Sequence, residues 1–330
     1  LDSVEAASPT MRASVLCLAL CASASAFSPS ATVPSLRSIG HTGAIAHKSP
    51  LSAPLTSSSD PRHGRSATRG SSTAALRMAE VVYGNTQVAE AKDTQTATVI
   101  WMHGLGDNGN GWTKLRDVIS IPHVKWLFPT APVQPVQICD GMTMPAWFDI
   151  PGLKVKELRS DEAGIQRSID HILQVLEKEV ASGTPSDRIV LAGFSQGGTI
   201  ALGAAMQAKM SLGGVIALST WYPRGIADSP DPKNAKMPIF IGHGENDPIA
   251  LAEWGRKTFE YITELGMPTE GNIYPEMGHE FKSSQVTDLK VFINRVLGVQ
   301  KQVTLSKPLG MTLEEGEEGT VSVASLKEGG

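Results

Sequence analysis

The residues best suited to covalent chemistry lie at positions 193–197, where the sequence is Gly-Phe-Ser-Gln-Gly. This matches the pattern G-x-S-x-G, in which the glycines allow a tight, strained turn that exposes a serine hydroxyl. A β-branched apolar run precedes the turn, and small residues typical of a packed helix follow it. This context favours Ser195 as a nucleophile over the alternative, a structural turn that holds an incidental serine.

A serine hydroxyl is a weak nucleophile, so a base must take its proton and an acid must orient that base. In strand–turn–helix units of this kind, the acid and then the histidine follow the serine along the chain. Of the eight histidines, only His243 and His279 follow Ser195. Because His243 precedes the best-placed acid, His279 is the predicted base, and His243 is interpreted as a structural loop residue.

The predicted acid is Asp247, which follows an apolar run within the sequence Gly-His-Gly-Glu-Asn-Asp-Pro at 242–248. An acid in this position accepts a hydrogen bond from the imidazole, fixes its tautomer and stabilises the imidazolium. Glu245 is the alternative, and a solvated loop carboxylate is the simpler interpretation of it. Asp228 and Asp231 lie in a proline-rich loop, where turn formation or helix capping is the expected role.

The oxyanion that develops on a substrate carbonyl needs preorganised N–H donors. The amide of Gln196 is one candidate, because it begins a predicted helix whose dipole favours negative charge. The second donor is expected from the loop 103–107, His-Gly-Leu-Gly-Asp, with Leu105 as the predicted residue. For Gly104 and Gly106, a simple turn is the alternative.

Short apolar runs alternate with helical periodicities through the body of the chain. They predict strands at 97–102, 125–128, 188–193, 215–218, 238–242 and 271–274, and helices at 161–181, 196–208, 251–266 and 284–297. Strands that are apolar on both faces and alternate with helices favour an α/β architecture, a mostly parallel sheet with helices on both faces. Sites in such sheets form beyond the carboxyl ends of strands. The informative loops therefore follow Met102, Gly193, Ile241 and Tyr274.

Flexible and aromatic side chains cluster at 142–148, Met-Thr-Met-Pro-Ala-Trp-Phe, on a predicted loop. Such side chains suit an acyl channel, so Met144, Trp147 and Phe148 are predicted to bind substrate. Ordinary packing under the loop is the alternative. Cys139 is interpreted as a buried or half-buried small residue rather than a nucleophile, because Ser195 is the stronger candidate.

Five motifs resemble one family when they are taken together. They are His-Gly-Leu-Gly-Asp (103–107), Pro-Ala-Trp-Phe-Asp (145–149), Gly-Phe-Ser-Gln-Gly-Gly (193–198), Gly-Glu-Asn-Asp-Pro (244–248) and Gly-His (278–279). In this order they are similar to the acyl-protein thioesterases, also called lysophospholipase-like carboxylesterases. The resemblance implies the α/β-hydrolase fold, catalytic Ser195, Asp247 and His279, and Leu105 and Gln196 as oxyanion donors. The segment around His279, Tyr-Pro-Glu-Met-Gly-His-Glu, and the N-terminal leader depart from the family pattern.

Members of that family cleave acyl thioesters on protein cysteines, lysophospholipids and small carboxylic esters through an acyl-serine intermediate. The resemblance therefore implies a serine hydrolase that acts on an acylated protein, a lysolipid or an ester and needs no metal or organic cofactor. One alternative is a catalytically silent hydrolase-fold protein that binds a partner, which the complete set of three catalytic residues argues against. Another is a different small-ester hydrolase of the same fold, although dienelactone-type enzymes commonly have cysteine in place of Ser195.

Composition excludes several functional classes. The 330 residues carry a net charge of −4 with 19% charged residues, which is too small and too dispersed for a nucleic-acid-binding protein. No run approaches the roughly 18 apolar residues of a membrane-spanning helix. Because Cys17 and Cys21 lie in the N-terminal apolar run, the folded part is predicted to lack intramolecular disulfides and cysteine-rich metal sites.

Three segments are predicted: a targeting leader (1–78), a catalytic domain (79–299) and a C-terminal extension (300–330). Residues 1–10 precede Met11 and are interpreted as upstream sequence. From Met11, an arginine, a short apolar run and an Ala-Ser-Ala ending are typical of a signal peptide. Residues 27–78 hold one acidic residue among many Ser, Thr, Ala and Arg, a composition typical of a disordered transit segment.

The junction Ala-Ser-Ala-Phe-Ser-Pro at 24–29 resembles that of bipartite plastid leaders in algae with secondary plastids. Delivery to a plastid through the secretory pathway is therefore expected, with a mature N-terminus near Met78 or Ala79. The alternatives are a secreted protein with a disordered linker after its signal peptide, or a cytoplasmic protein if the leader is not native.

The C-terminal extension contains two predicted strands, at 307–315 and 320–326, joined by an acidic turn. Leu-Gly-Met at 309–311 resembles the carboxylate-binding loop of PDZ domains, but too few residues follow for that fold. A truncated sequence or a disordered tail is the expectation.

Overall fold

The computed structural model describes residues 81–153, 161–298, 311–315 and 321–326. Residues 81–298 are built on a central sheet. The strands up to residue 298 are β1 Gly84–Ala89, β2 Ala97–Met102, β3 Val124–Thr130, β4 Val133–Val136, β5 Met142–Pro145, β6 Ile189–Phe194, β7 Gly214–Leu218, β8 Ile239–Gly244 and β9 Thr269–Tyr274. Seven of them form the sheet, in the order β1-β3-β2-β6-β7-β8-β9. β1 pairs antiparallel with β3, and the remaining pairs are parallel. The predicted mostly parallel sheet is confirmed.

Five α-helices lie in the described ranges: α1 Leu115–Ile119, α2 Glu162–Ala181, α3 Gln196–Gln207, α4 Ala252–Glu264 and α5 Ser283–Val296. Four of them match predicted helices within a few residues. The start of α2 is set by Asp161, whose carboxylate accepts a hydrogen bond from the Gly164 amide at 2.8 Å. This side-chain cap satisfies an amide that has no partner within the helix.

Two hydrophobic cores lie on opposite faces of the sheet. Ile100 and Met102 of β2 point into a core shared with α2, α3 and α4, whereas Val99 and Trp101 point into a core shared with α1 and α5. All six residues of β2 are buried, and so are those of β6. Burial on both faces explains why these strands appear in the sequence as continuous apolar runs.

Four elements differ from the sequence-based prediction: the strands β1, β4 and β5 and the helix α1. β1 was not predicted because its sequence, Gly-Asn-Thr-Gln-Val-Ala, is largely exposed at the sheet edge and carries no apolar pattern. The predicted loop at 142–148 is partly wrong, because β5 pairs antiparallel with β4 to form a hairpin. Neither strand alternates clearly, and Pro135 lies within β4, so the pattern did not indicate strands. The short helix α1 was also missed.

The two predicted C-terminal strands are confirmed as β10 Met311–Glu315 and β11 Val321–Leu326, which pair antiparallel. The PDZ-like and disordered-tail interpretations stay predictions. The predicted leader, residues 1–78, lies outside the described residues. Among the described helices, none combines the length and the apolar character needed to cross a bilayer.

The junction between β6 and α3 is packed backbone against backbone. A Cβ on Gly197 would lie 2.2 Å from the Met102 carbonyl oxygen, and one on Gly193 would lie 2.3 Å from the Gly197 carbonyl. Between them Ser195 adopts φ 55° and ψ −124°, a conformation that L-residues rarely occupy. Only glycine fits on either side of this turn, so the turn depends on both positions.

Gly197→Ala is expected to lower the free energy of unfolding by more than about 2 kcal/mol, because neither backbone segment can move away from the new methyl group. A decrease in the free energy of unfolding would be informative, because replacing glycine with alanine in a helix ordinarily increases it. Thermal denaturation measures the effect. Gly278→Ala is the control, because its Cβ would have no neighbour closer than 3.9 Å. Equal melting temperatures for the two variants would contradict the packing argument.

Candidate active site

Three side chains predicted from the sequence meet at the carboxyl edge of the sheet. The Ser195 Oγ lies 3.0 Å from His279 Nε2, and His279 Nδ1 lies 2.7 Å from Asp247 Oδ2. All three residues are more than nine-tenths buried. The structure therefore brings the predicted nucleophile, base and acid into one continuous hydrogen-bonded chain with the connectivity that serine hydrolysis requires.

The carboxylate of Asp247 is held by its own loop. Oδ1 accepts hydrogen bonds from the backbone amides of Ile249 and Ala250, both at 2.9 Å. Oδ2 is left to face His279. Because a carboxylate accepts, His279 carries its proton on Nδ1, and Nε2 is free to take the proton of Ser195.

The loop that carries His279 is fastened to the loop that carries Asp247. The Glu245 amide donates to the Tyr274 carbonyl at 2.9 Å, and the Asn246 amide donates to the Met277 carbonyl at 3.0 Å. The imidazole of His279 also packs on the ring of Phe194, with centroids 4.9 Å apart. These contacts connect the loop of the base to the loop of the acid, which favours their alignment.

The predicted oxyanion donors lie on segments that contact Ser195. Gln196 begins α3, where backbone amides have no partner within the helix. Leu105 lies in the loop after β2, and a Cβ on neighbouring Gly104 would be 3.4 Å from the Ser195 Cβ. The two segments thus flank the serine as an oxyanion site requires. The donor roles of Leu105 and Gln196 stay predictions.

His103 anchors the loop that holds Leu105. Its Nε2 accepts from the Ala131 amide at 3.0 Å, so Nδ1 carries the proton and donates to the Gly104 carbonyl at 2.7 Å. Burial lowers the pKa of His103 to about 4, so the ring is neutral near pH 7. The loop that contains Gly104 and Gly106 is held by these hydrogen bonds, and the Gly106 amide also donates to the Pro145 carbonyl at 2.9 Å.

The three predicted substrate-binding residues, Met144, Trp147 and Phe148, are buried in the core. The Trp147 indole donates to the His103 carbonyl at 2.8 Å. The Gln196 side chain bonds the Trp147 amide at 3.0 Å and the Phe148 carbonyl at 2.8 Å. These contacts favour the packing alternative for Trp147 and Phe148. Both residues bond to the segments that carry the predicted oxyanion donors. Contact with an acyl chain stays a prediction.

Other sequence-based candidates have structural roles. The runner-up acid, Glu245, is half-exposed and forms an ion pair with Arg256. Asp228 accepts from the Gly225 amide, and Asp231 caps the 3₁₀ turn Pro232–Asn234. These contacts agree with the predicted turn and capping roles. Cys139 is buried, as predicted.

Sequence reasoning missed Thr220, whose hydroxyl donates to the Ser195 carbonyl at 2.7 Å. Its position two residues beyond the carboxyl end of β7 was the available signal. No group of three or more His, Cys, Asp or Glu side chains that could hold a metal ion occurs in the parts of the chain that the structure describes.

Asp107, the last residue of the loop that contains Leu105, is a buried carboxyl group whose charged form is destabilised by burial. It accepts from the Asn108 amide and the Trp112 indole, both at 2.7 Å. Burial nevertheless raises the pKa of Asp107 from 3.8 to about 6, and these hydrogen bonds oppose the shift only partly. The folded protein therefore binds this proton more tightly than the unfolded chain does.

The unfolding free energy is expected to fall as pH rises from about 4 to about 6, because the folded state then loses the proton that it favours. This carboxyl should contribute about 1 kcal/mol more stability at pH 5 than at pH 7. Urea denaturation of Asp107→Asn at the two pH values should show that difference removed. The exposed Asp140→Asn is the control. A full pH difference in the Asp107 variant would contradict the assignment.

Comparisons with known proteins agree with this geometry. The phospholipase/carboxylesterase family profile matches residues 83–297. Acyl-protein thioesterase 1 of Cryptococcus neoformans is 36% identical over 225 residues, which cover 62% of this chain and 94% of that protein. Acyl-protein thioesterase 1 of Mycosarcoma maydis is 37% identical over 224 residues, with 62% of this chain and 93% of that protein covered.

Solved structures resemble the same region. Arabidopsis thaliana SOBER1 is 30% identical with a TM-score of 0.58, and the match covers 61% of this chain and 99% of that one. Acyl-protein thioesterase 2 of Zea mays is 28% identical with a TM-score of 0.59, and the match covers 66% and 100%. The protein thus has the α/β-hydrolase fold of a serine ester and thioester hydrolase, and it belongs to the phospholipase/carboxylesterase family.

Proposed function

We propose that this serine hydrolase removes long acyl chains from cysteine side chains of proteins by cleaving the thioester. The observation that carries the proposal is the chain from Ser195 Oγ through His279 to Asp247, with contacts of 3.0 and 2.7 Å. The similar fungal and plant proteins that are named acyl-protein thioesterases support the choice of a thioester on a protein.

The first step forms an acyl-serine. His279 Nε2 takes the proton of Ser195 as Oγ attacks the thioester carbonyl. The carbonyl oxygen becomes an oxyanion between the amides of Leu105 and Gln196. The tetrahedral intermediate collapses, the carbon–sulfur bond breaks, and His279 returns its proton to the cysteine sulfur.

The second step releases the fatty acid. A water molecule gives a proton to His279 Nε2 and attacks the acyl-serine carbonyl. The carbon–Oγ bond then breaks, and the proton returns to Ser195. Asp247 stabilises the imidazolium in both steps without taking the proton itself. Because Ser195 and water supply the nucleophiles and His279 transfers the protons, the proposed reaction requires no metal or organic cofactor.

A groove near the segment that supports Ser195 is a candidate for part of the acyl site. Thr220 bonds the Ser195 carbonyl, and the next residue, Trp221, forms one wall of an open groove of about 850 Å³. The groove also presents Tyr222, Trp254 and Tyr261. No triad residue is among the described residues that line it. The groove is connected to the serine through the chain neighbours Thr220 and Trp221. Its aromatic side chains suit an apolar ligand, whereas its rim is also lined by the charged residues Arg224, Asp228, Lys257, Glu260 and Glu264.

Ser195→Ala is expected to lower hydrolysis of a palmitoyl-thioester peptide by at least about a thousandfold, because the triad acts as a unit. The variant should also lose labelling by a fluorophosphonate probe. Ser211→Ala, at an exposed serine, is the matched control and should label like wild type. Labelling of the Ser195 variant at the wild-type rate would show that another residue is the nucleophile.

The wild-type enzyme is expected to prefer long acyl chains on sulfur. We expect kcat/KM for a palmitoyl-thioester peptide to exceed that for the acetyl-thioester by at least about tenfold, because more apolar surface is buried on binding. The matching oxyester peptide and a lysophospholipid complete the panel. Equal rates on acetyl and palmitoyl thioesters would contradict a long-chain site, and faster lysophospholipid cleavage would favour a lipid substrate.

A further inference from the structure

A second buried histidine, His243, lies close to Asp247, the proposed catalytic acid. His243 is the fifth residue of β8 and has no exposed surface. Its Nε2 lies 2.6 Å from the carbonyl oxygen of Ala250. Because a carbonyl only accepts, Nε2 must carry a proton. His243 is therefore a hydrogen-bond donor at this position, whatever its charge.

The opposite side of the ring shows that His243 is neutral. Nδ1 is buried without a hydrogen-bond partner among the described residues. It faces Gly255 of α4, where a Cβ would lie only 2.3 Å away. A protonated Nδ1 would be a buried donor without an acceptor, which is costly. Burial also lowers the pKa of His243, so structure and electrostatics agree on the neutral Nε2–H form.

Ala250 links His243 to the catalytic carboxylate. Its carbonyl accepts from His243 Nε2 at 2.6 Å, and its amide donates to Asp247 Oδ1 at 2.9 Å. The residue is thus bound at both its amide and its carbonyl. A shift of the imidazole would release the carbonyl of Ala250 and loosen the turn that fixes Oδ1.

The charged and titratable groups near His243 are Asp247, His279 and Arg256. His243 Nε2 lies 3.7 Å from Asp247 Oδ2, the oxygen that accepts a hydrogen bond from His279 Nδ1 at 2.7 Å. A charged His243 would compete with His279 for this carboxylate. A neutral ring supplies an N–H dipole there without neutralising the acid.

We propose that His243 is a positioning residue, which as an uncharged Nε2–H donor fixes the Asp247–Ala250 turn and so aims Asp247 Oδ2 at His279. This inference rests on the proposed catalytic roles of Ser195, His279 and Asp247. It assigns His243 a part in the reaction beyond loop structure, although the residue does not touch the substrate.

A pair of substitutions tests the donor. The amide nitrogen of glutamine reaches about as far from the backbone as Nε2 of histidine, whereas that of asparagine is one methylene short. His243→Asn is therefore expected to lower kcat on the thioester peptide by about 10- to 100-fold. KM should stay within about twofold, because no substrate contact is lost. His243→Gln should recover kcat to within about fivefold of wild type.

The pH profile separates positioning from mere folding. In His243→Asn a displaced carboxylate stabilises the His279 imidazolium less, so the acidic limb of kcat/KM should move to lower pH. His243→Gln should keep the wild-type profile. Wild-type kcat and pH profile in the asparagine variant would overturn the proposal. Equal losses of activity and melting temperature in both variants would also overturn it, because they would show a packing role.

A measurement on the wild type keeps the proposal testable if His243→Asn does not fold. Long-range ¹H–¹⁵N spectra of the imidazoles should show His243 as the neutral Nε2–H tautomer at pH 8, and its protonation should begin at lower pH than that of an exposed imidazole. An Nδ1–H tautomer, or protonation at a higher pH than an exposed imidazole, would overturn it. Failure of the proposed catalytic roles is distinguishable, because wild-type protein would then show neither fluorophosphonate labelling at Ser195 nor hydrolysis of any ester or thioester in the panel.

Discussion

The site depends on a strained backbone at Ser195, whose dihedral angles lie outside the regions that L-residues favour. A φ of 55° with ψ −124° costs on the order of 1–3 kcal/mol, so the surroundings must impose it. The Ser195 amide donates to the Leu218 carbonyl, and its own carbonyl accepts from Thr220. Glycines at 193 and 197 let the adjoining backbones close on the turn. The result lifts the hydroxyl toward His279 while the helix amides stay next to it.

The charged carboxylate of Asp247 lies among buried groups that are kept neutral. Asp247 is the carboxylate within the triad, and two backbone amides and His279 share its oxygens. The two buried histidines nearby, His103 and His243, are both kept neutral by burial, and each donates to a backbone carbonyl. These neutral donors hold the loops without forming an ion pair with Asp247, so its negative charge is left to stabilise the His279 imidazolium. That interaction is strong because the site is buried and its dielectric constant is low.

Much of this could be read from the sequence because the signals are local. The β-branched run before Gly193 and the glycines around Ser195 give the strand–turn–helix unit, and chain order then selects His279 and Asp247. Contacts between segments that lie far apart in the sequence could not be predicted in this way. Nothing near Gln196 indicates that its side chain bonds Trp147 and Phe148, and those two aromatic residues look like ligand-binding residues until their burial is known. β1 was missed for a related reason, since an exposed edge strand carries no hydrophobic pattern.

The convergence itself follows from strand order, which sequence pattern does not supply. β2 lies next to β6, so the loop with Leu105 adjoins the turn with Ser195. β7 separates β6 from β8, and β9 completes that side, so the loops after β8 and β9 meet and then reach back over β7 to the serine. Thr220 follows the end of β7 by two residues and bonds the Ser195 carbonyl. Because β7 pairs with β6 up to Leu218 and Phe194, a residue just beyond the end of β7 lies next to the nucleophile turn and can support it.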